Sequence, residues 1–274
     1  MTLGVDEAGD GHPVLLLPAL SSISTRTEVR PLLERLASCC RVFSVDWPGF
    51  GNLPRHPFDN SPRVLSDFLS WFLGQLPSPC SIVAAGHAAT YALHHAAHRA
   101  GTIDRLVLLA PTWRGPLPTM MGGQRPWFAT VRRSFDRPGL GALLYRANVS
   151  RLVLTAMARG HVYDDPKWLT PERLAEKVAV TRAPGARYSS VRFVTGALDR
   201  VDTREDFLEL ARRTSAPMLV IYGEHTPRKS LAEIEALTQL PNVLSRRLPR
   251  GKLSVYEEFP SEVARIAASF LAAP

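Results

Sequence analysis

Two histidines and three serines are the candidates for catalytic residues in this sequence, because of the residues that surround them. His87 stands in "VAAGHAATYAL" (residues 83–93), where an apolar strand pattern meets a glycine and continues as a helix of small residues. His225 stands in "VIYGEHTP", after a later apolar run. The serines follow the first apolar run and are Ser21, Ser22 and Ser24. An imidazole that takes the proton of a hydroxyl turns that hydroxyl into a nucleophile for carbonyl carbon, so these residue types indicate acyl transfer.

The stretch 83–93 has the pattern of a strand, a sharp turn and a helix. In the G-x-S-x-G version of this turn a serine nucleophile stands between the strand and the helix. Aligning Gly86 with the first glycine of that pattern puts Ala88 at the serine position. A methyl group cannot attack a carbonyl, so the chemistry either runs another way or is absent.

Each of the other candidates also has a purely structural interpretation. We expect His87 to pack behind the turn, because a histidine acts only beside a substrate. His225 is a weak candidate for proton transfer, and a position on a surface loop is its other interpretation. The serines lack a positioned base, and Thr25 with Glu28 has the spacing of a helix-capping box.

Short apolar runs alternate with helical patterns along most of the chain. The runs that predict buried strands are residues 14–17, 41–45, 81–85, 106–110 and 218–222, and "VLSRRL" (243–248) adds one more. Helical patterns separate them, and a final helix is predicted from Pro260, a residue favoured at the first helical position. Strand–helix alternation is typical of βαβ units, so we predict an α/β fold with a mainly parallel sheet flanked by helices.

The alternation stops between residues 111 and 216. This part has few strand-like runs, helical patterns at 140–159 and 171–181, and many prolines and glycines. We therefore predict a core made of residues 1–111 and 216–274, with a mostly helical cap inserted at 112–215.

Composition places the chain among ordinary globular proteins. Its 274 residues are 45% hydrophobic and 21% charged, which excludes a disordered chain. No apolar run approaches the about 20 residues of a membrane-spanning helix, and the N-terminus does not read as a leader. The three cysteines, of which Cys39 and Cys40 are neighbours, form neither a disulfide framework nor a zinc pattern. We expect a cytoplasmic protein with no metal and no cofactor.

Six segments, in order, resemble the α/β-hydrolase superfamily, in the branch that carries a helical cap. They are "LLLPALSS", "VDWPGFG", "AAGHAATYAL", "LVLLAP", "LVIYGEHTP" and "GKLSVYEEFPSEV". The resemblance implies the α/β-hydrolase fold over most of the chain outside the cap. The fold by itself does not imply an activity.

The resemblance also implies where a Ser–Asp–His triad would stand. The nucleophile position is Ala88, the acid position is Thr226 and the histidine position is Leu253, while Thr112 and Trp113 occupy the alternative acid site. Triad members act as a unit, so losing the second and third adds little to the loss of the first. Joint loss therefore favours an abandoned triad over a single inactivating substitution of a serine.

We expect the ligand-binding pocket to be retained although the triad is lost. The backbone N–H of Ala89 and one from the loop at Leu20 and Ser21 would remain as oxyanion-hole donors. The expected ligand-binding residues are Leu20, Ser21, Ala88, Ala89, Trp113 and Leu253. Such a pocket suits a small, largely apolar molecule that carries a carboxylate, carbonyl or phosphate.

The predicted cap is strongly basic. The net charge of the chain is +8, and residues 113–160 hold eight arginines with Asp136 as the only acid. Aromatic residues lie among them, including Trp127 and Tyr145. A solvated basic face is one interpretation, and a surface for an anionic membrane or an acidic protein is the other. Nucleic acid is not expected, because no helix-turn-helix, stacking sheet or zinc module accompanies the charge.

These observations predict an α/β-hydrolase-fold protein without a working catalytic triad. It would bind a small apolar ligand or dock through its basic cap, in the cytoplasm or at the periphery of a membrane. The alternative is an unconventional enzyme, either a hydrolase, a lyase or a cyclase, that uses the oxyanion-hole donors and His225 without a serine nucleophile.

Overall fold

A computed structural model describes residues 3–55 and 60–272, and the strands among them form one seven-stranded sheet. The strands are β1 (Val5–Ala8), β2 (His12–Leu17), β3 (Cys40–Val45), β4 (Cys80–Ala85), β5 (Ile103–Leu109), β6 (Met218–Gly223) and β7 (Val243–Leu248). Their order is β1-β3-β2-β4-β5-β6-β7. β1 runs antiparallel to β3, and every other neighbouring pair is parallel. The predicted mainly parallel sheet is confirmed.

The predicted runs lie in β2 to β7, and all of these strands except the edge strand β7 are largely buried. All six residues of β4 and all six of β6 are buried, which is why these runs show no polar alternation. β1 was not predicted, because it is four residues long, polar and half exposed at the edge of the sheet.

Thirteen α-helices lie in the described residues. They are α1 (Arg30–Leu36), α2 (Pro62–Leu73), α3 (Ala88–His98), α4 (Pro116–Met121), α5 (Trp127–Asp136), α6 (Leu140–Asn148), α7 (Arg151–Met157), α8 (Pro171–Arg182), α9 (Ala186–Val194), α10 (Arg204–Arg213), α11 (Arg228–Thr238), α12 (Val255–Glu258) and α13 (Pro260–Leu271). A 3-10 turn, Arg26–Val29, precedes α1, and a π-helical turn, Ala158–Val162, follows α7.

Local sequence explains several helix ends. Pro31 lies in the first turn of α1, where the N–H that proline lacks would have no partner within the helix. Ser61 caps α2 by accepting the N–H of Val64 at 3.4 Å. Pro260 occupies the predicted place at the start of α13.

The segment between β5 and β6 contains helices α4 to α10 and no strand among its residues, all of which the structure describes. The apolar side chains of Tyr145, Val149, Leu154, Val178 and Val191 form a small hydrophobic cluster of their own within it. α10, the last helix of the predicted cap range 112–215, packs against α3 of the core. No helix in the described part of the chain is long and apolar enough to cross a membrane.

Candidate functional site

The turn between β4 and α3 contains only Gly86 and His87. Gly86 has a φ of +52°, in the left-handed region that favours glycine. Its N–H extends the sheet by donating to the Leu109 carbonyl at 2.8 Å. In a nucleophile elbow the nucleophile is the strained residue between strand and helix. The backbone therefore puts Gly86, two residues before Ala88, at that position.

Ala88 does not lie in the turn, where the sequence pattern predicted it. It is the first residue of α3, and neither it nor Ala89 has any exposed surface. The Ala89 N–H donates to the Gly86 carbonyl at 3.2 Å. These two alanines are packed residues of the helix and line no open space in this conformation. The physical reason is that a positive φ costs least at glycine, and this requirement sets the turn.

The loop after β2 faces the turn. A Cβ added to Gly86 would lie 3.3 Å from the Cβ of Ala19. The Ala19 N–H donates to Glu28 Oε1 at 3.1 Å, so a carboxylate already binds this amide. Leu20 is buried, and the Ser21 hydroxyl accepts the N–H of Ile23 at 3.3 Å. Ser21 thus stabilises its own loop.

Glu28 belongs to a buried network that sequence spacing did not indicate. Tyr256 donates its hydroxyl to Glu28 Oε1 at 2.8 Å, and Lys177 donates to Glu28 Oε2 at 3.3 Å and to Glu257 Oε2 at 2.8 Å. Tyr163 donates to Glu257 Oε1 at 2.9 Å. The network joins the helical segment between β5 and β6, through Tyr163 and Lys177, to residues on either side of it in the chain.

The charges of this network depend on one another. Burial raises the pKa of Glu28 to about 7, and the nearby Lys177 ammonium opposes the rise. Burial alone would lower the pKa of Lys177, but the carboxylates of Glu257 and Glu28 outweigh burial and raise it. The expected capping box between Thr25 and Glu28 is incomplete. Thr25 accepts the N–H of Thr27 at 3.1 Å, whereas the Glu28 carboxylate points into the buried network and accepts the N–H of Ala19.

The acid and histidine positions that the resemblance implied carry no acid–base group. Thr226 is buried and donates its hydroxyl to the Gly223 carbonyl at 2.7 Å, which closes the turn after β6. Leu253 is partly buried and packs against the main core. Neither side chain can hold or transfer a proton for a reaction at Gly86.

His225 has an acidic partner that the sequence analysis missed. Its Nδ1 lies 2.7 Å from Asp164 Oδ2, which also accepts the Gly251 N–H at 2.9 Å. Partial burial acts to raise the pKa of Asp164, but the hydrogen bonds from Gly251 and His225 outweigh it and lower the pKa. An orienting carboxylate behind an imidazole is the arrangement that triads use. Asp164 lies 61 positions before His225, in the helical segment between β5 and β6, so no local spacing could have indicated the pair.

The Asp164–His225 pair is displaced from the turn at Gly86. His225 follows β6, Gly86 follows β4, and β5 lies between these strands. Two inter-strand spacings correspond to about 10 Å. In the described residues, no hydrogen bond joins His225 or Asp164 to Gly86.

His87 packs beneath the turn. The residue is 1% exposed, its Nε2 lies 3.3 Å from the Leu198 carbonyl oxygen and 3.6 Å from Asp199 Oδ1, and its ring meets the Phe193 ring edge-on. Burial lowers the pKa of His87 to about 4. The imidazole is thus a neutral, packed group at neutral pH.

A cavity of about 510 Å³ opens beside Trp113, which is within the size range of small-molecule sites. We call it the Trp113 cavity, and its lining residues are Pro111, Thr112, Trp113, Arg114, Thr119, Gly122, Arg204, Arg228, Lys229, Ser230, Ala232 and Glu233. Of the six predicted ligand-binding residues it includes Trp113 alone. It adjoins the turn, because the Thr112 N–H donates to the Gly86 carbonyl at 3.1 Å.

The Trp113 cavity combines an indole with an excess of positive charge. Glu233 is its only carboxylate, and it accepts from the Trp113 indole at 3.0 Å, from Arg114 at 3.0 Å and from Arg204 at 2.8 and 2.9 Å. These contacts outweigh burial and lower the pKa of Glu233. Lys229 donates to the Met120 carbonyl at 2.6 Å, and Arg228 has no carboxylate partner among the described residues.

The fold and the turn define the class of protein. Residues 14–266 match the family model described as "Alpha/beta hydrolase family", so the chain belongs to the alpha/beta hydrolase family. The chain is 25% identical over 252 residues, 86% of each chain, to the pimeloyl-[acyl-carrier protein] methyl ester esterase of Aeromonas salmonicida (strain A449).

Solved structures show the same fold at low sequence identity. A hydrolase from Pseudomonas aeruginosa PA01 superposes with a TM-score of 0.74 at 19% identity, covering 99% of this chain and 94% of that one. The enol-lactonase from Burkholderia xenovorans LB400 gives a TM-score of 0.71 at 18% identity, covering 99% and 96%. At these identities the likeness concerns the fold.

Proposed function

We propose that this protein binds a small anionic molecule with an apolar body in the Trp113 cavity and forms no covalent acyl-enzyme. The observation that carries the proposal is the glycine at the apex of the strand–helix turn. A residue without a side chain cannot supply the nucleophile that the turn presents in hydrolases.

The surroundings of Gly86 support a non-covalent role. The first amide of the facing loop, that of Ala19, already binds the carboxylate of Glu28. Because this N–H is already bonded, it is not free to donate to a developing oxyanion. Thr226 and Leu253 supply neither a base nor an orienting acid.

The Trp113 cavity supports the ligand class. Three arginines and a lysine surround one carboxylate, which leaves the lining with a positive charge in excess. Trp113, Pro111 and Ala232 add apolar surface. The name of the Aeromonas relative specifies a pimeloyl methyl ester, which joins an aliphatic chain to carboxyl groups. Monomethyl pimelate is therefore the first probe.

Reaction with a fluorophosphonate probe tests the absence of a nucleophile. We expect no labelling of the wild-type protein, and none of Gly86→Ser, because a serine there would meet Ala19 and would have no histidine to take its proton. Intact-protein mass spectrometry measures the adduct. Stoichiometric labelling of the wild type would contradict the proposal.

Ligand binding is tested with monomethyl pimelate and Arg228→Gln. We expect affinity to fall by at least about tenfold, because a charge-assisted hydrogen bond contributes about 1.5–3 kcal/mol. Isothermal titration calorimetry measures the affinity, and added salt should weaken it. Arg63→Gln, an exposed arginine of α2 outside the cavity, is the matched control. Equal binding by both variants would exclude this cavity.

The Asp164–His225 pair favours a second candidate, an unconventional enzyme that uses the imidazole to deprotonate water or a carbon acid. The 2.7 Å contact and the half-exposed ring, at 53%, are what such a base requires. Ester turnover without fluorophosphonate labelling, abolished in His225→Ala, would support this candidate over the first. Turnover that survives His225→Ala would exclude it.

A further inference from the structure

Helix α6 exposes its apolar residues. Leu140, Leu143, Leu144 and Ala147 are exposed, at helical spacings of three and four, whereas Tyr145 on the opposite face is buried. Helices of globular proteins normally turn such a stripe toward the core. The side chain of Leu143, with a residue exposure of 66%, therefore lies on a face that has no partner in the described chain.

Helix α7 also exposes large apolar side chains. Leu152 is 81% exposed and Met157 is 44% exposed. Of the eleven exposed large hydrophobic residues in the described chain, eight fall within residues 120–157. We define the α6–α7 surface by its apolar residues Leu140, Leu143, Leu144, Leu152 and Met157. A concentration of this kind marks an interaction site more often than scattered surface leucines do.

Positive charge surrounds this apolar surface. Arg137, Arg146, Arg151 and Arg159 are exposed, and none of them pairs with a carboxylate in the described part of the chain. Residues 137–163 contain no aspartate or glutamate. Arginine beside exposed leucine is the composition of helices that lie in a membrane interface, with apolar side chains in the acyl boundary and cations at the headgroups.

We infer that the α6–α7 surface docks the protein on an anionic lipid bilayer. Charge complementarity favours this partner, since unpaired arginines are attracted to anionic headgroups. A second copy of the chain is disfavoured, because a two-fold contact would place the same arginines against each other with no acid between them. The inference goes beyond the proposed ligand binding, and the surface shares no residue with the Trp113 cavity.

Vesicle cosedimentation tests the inference. The wild-type protein should pellet with vesicles of phosphatidylcholine mixed with phosphatidylglycerol and stay in solution with phosphatidylcholine alone. The double variant Leu143→Ser/Leu152→Ser should lower the partition coefficient by at least about tenfold, because two leucines no longer enter the apolar layer. Leu244→Ser, at a 59% exposed leucine on β7, is the matched control and should bind as the wild type does.

Three outcomes would overturn the inference. The first is equal pelleting of the double variant and the wild type, and the second is equal binding to both kinds of vesicle. The third is a vesicle-free dimer in sedimentation velocity that the double variant abolishes, since it would assign the surface to a second copy. Unchanged circular dichroism confirms folding of the variants, and unchanged monomethyl pimelate affinity separates this test from that of the Trp113 cavity.

Discussion

Lys177→Met is expected to reduce the free energy of unfolding by about 3–5 kcal/mol, the usual effect of removing one partner from a buried ion pair. The Lys177 side chain is 12% exposed and contacts Glu28 at 2% and Glu257 at 5% exposure. Without the ammonium, two carboxyl groups face each other in a low-dielectric setting. Each must then be protonated or remain a charge without compensation.

Urea unfolding followed by circular dichroism measures the effect of Lys177→Met. Lys167→Met, at an exposed lysine of the cap, should change stability by no more than about 0.5 kcal/mol. The triple variant Glu28→Gln/Lys177→Met/Glu257→Gln should be more stable than Lys177→Met, because no buried charge remains. A loss below about 1 kcal/mol in the single variant would show that the network is solvated in solution.

Trp47→Ala is expected to cost about 3–5 kcal/mol of unfolding free energy through the cavity it leaves. Trp47 is 1% exposed, and its ring lies 5.5 Å from that of Tyr91 and 6.1 Å from that of Phe68. Its indole N–H donates to the Pro18 carbonyl at 3.0 Å. The side chain thus ties the loop that faces Gly86 to helices α2 and α3.

Thermal and urea unfolding of three variants separate the contributions at Trp47. Trp47→Phe retains a ring and loses the bond to Pro18, so we expect an effect between those of the wild type and Trp47→Ala. Trp71→Ala, at a tryptophan that is 53% exposed, is the control and should stay close to the wild type. If Trp47→Ala and Trp71→Ala had equal effects, the packing described around the loop would be wrong.

Local patterns in the sequence were sufficient for the architecture. Apolar runs predicted β2 to β6, because strands buried on both faces are apolar over most of their length. The run 243–248 predicted β7, which lies at the edge of the sheet and is partly exposed. Pro260 marked the start of the last helix, and heavy proline and glycine punctuation marked the helical segment after β5. β1 was not predicted, because a short, half-exposed edge strand has no apolar run.

The position of the turn could not be obtained from motif letters alone. The "AAGHAA" segment aligns with the pattern of a nucleophile elbow in more than one register, and the register with Gly86 as the first glycine puts Ala88 in the serine position. Three-dimensional structure selects Gly86, where the backbone adopts a positive φ and faces Ala19. A residue without a nucleophilic side chain occupies the position in either register.

The sequence by itself determined the order of the helices and strands and which strands are buried. Both features depend on residues that are close together in the chain. Tertiary structure alone decided the Lys177 network, the pairing of His225 with Asp164 and the position of the Trp113 cavity. The side-chain bonds of the Lys177 network and of the Asp164–His225 pair join residues that lie 61 to 228 positions apart. Residues this far apart in sequence show no periodic pattern, so their pairing becomes visible only after the helical segment between β5 and β6 has packed against the rest of the chain.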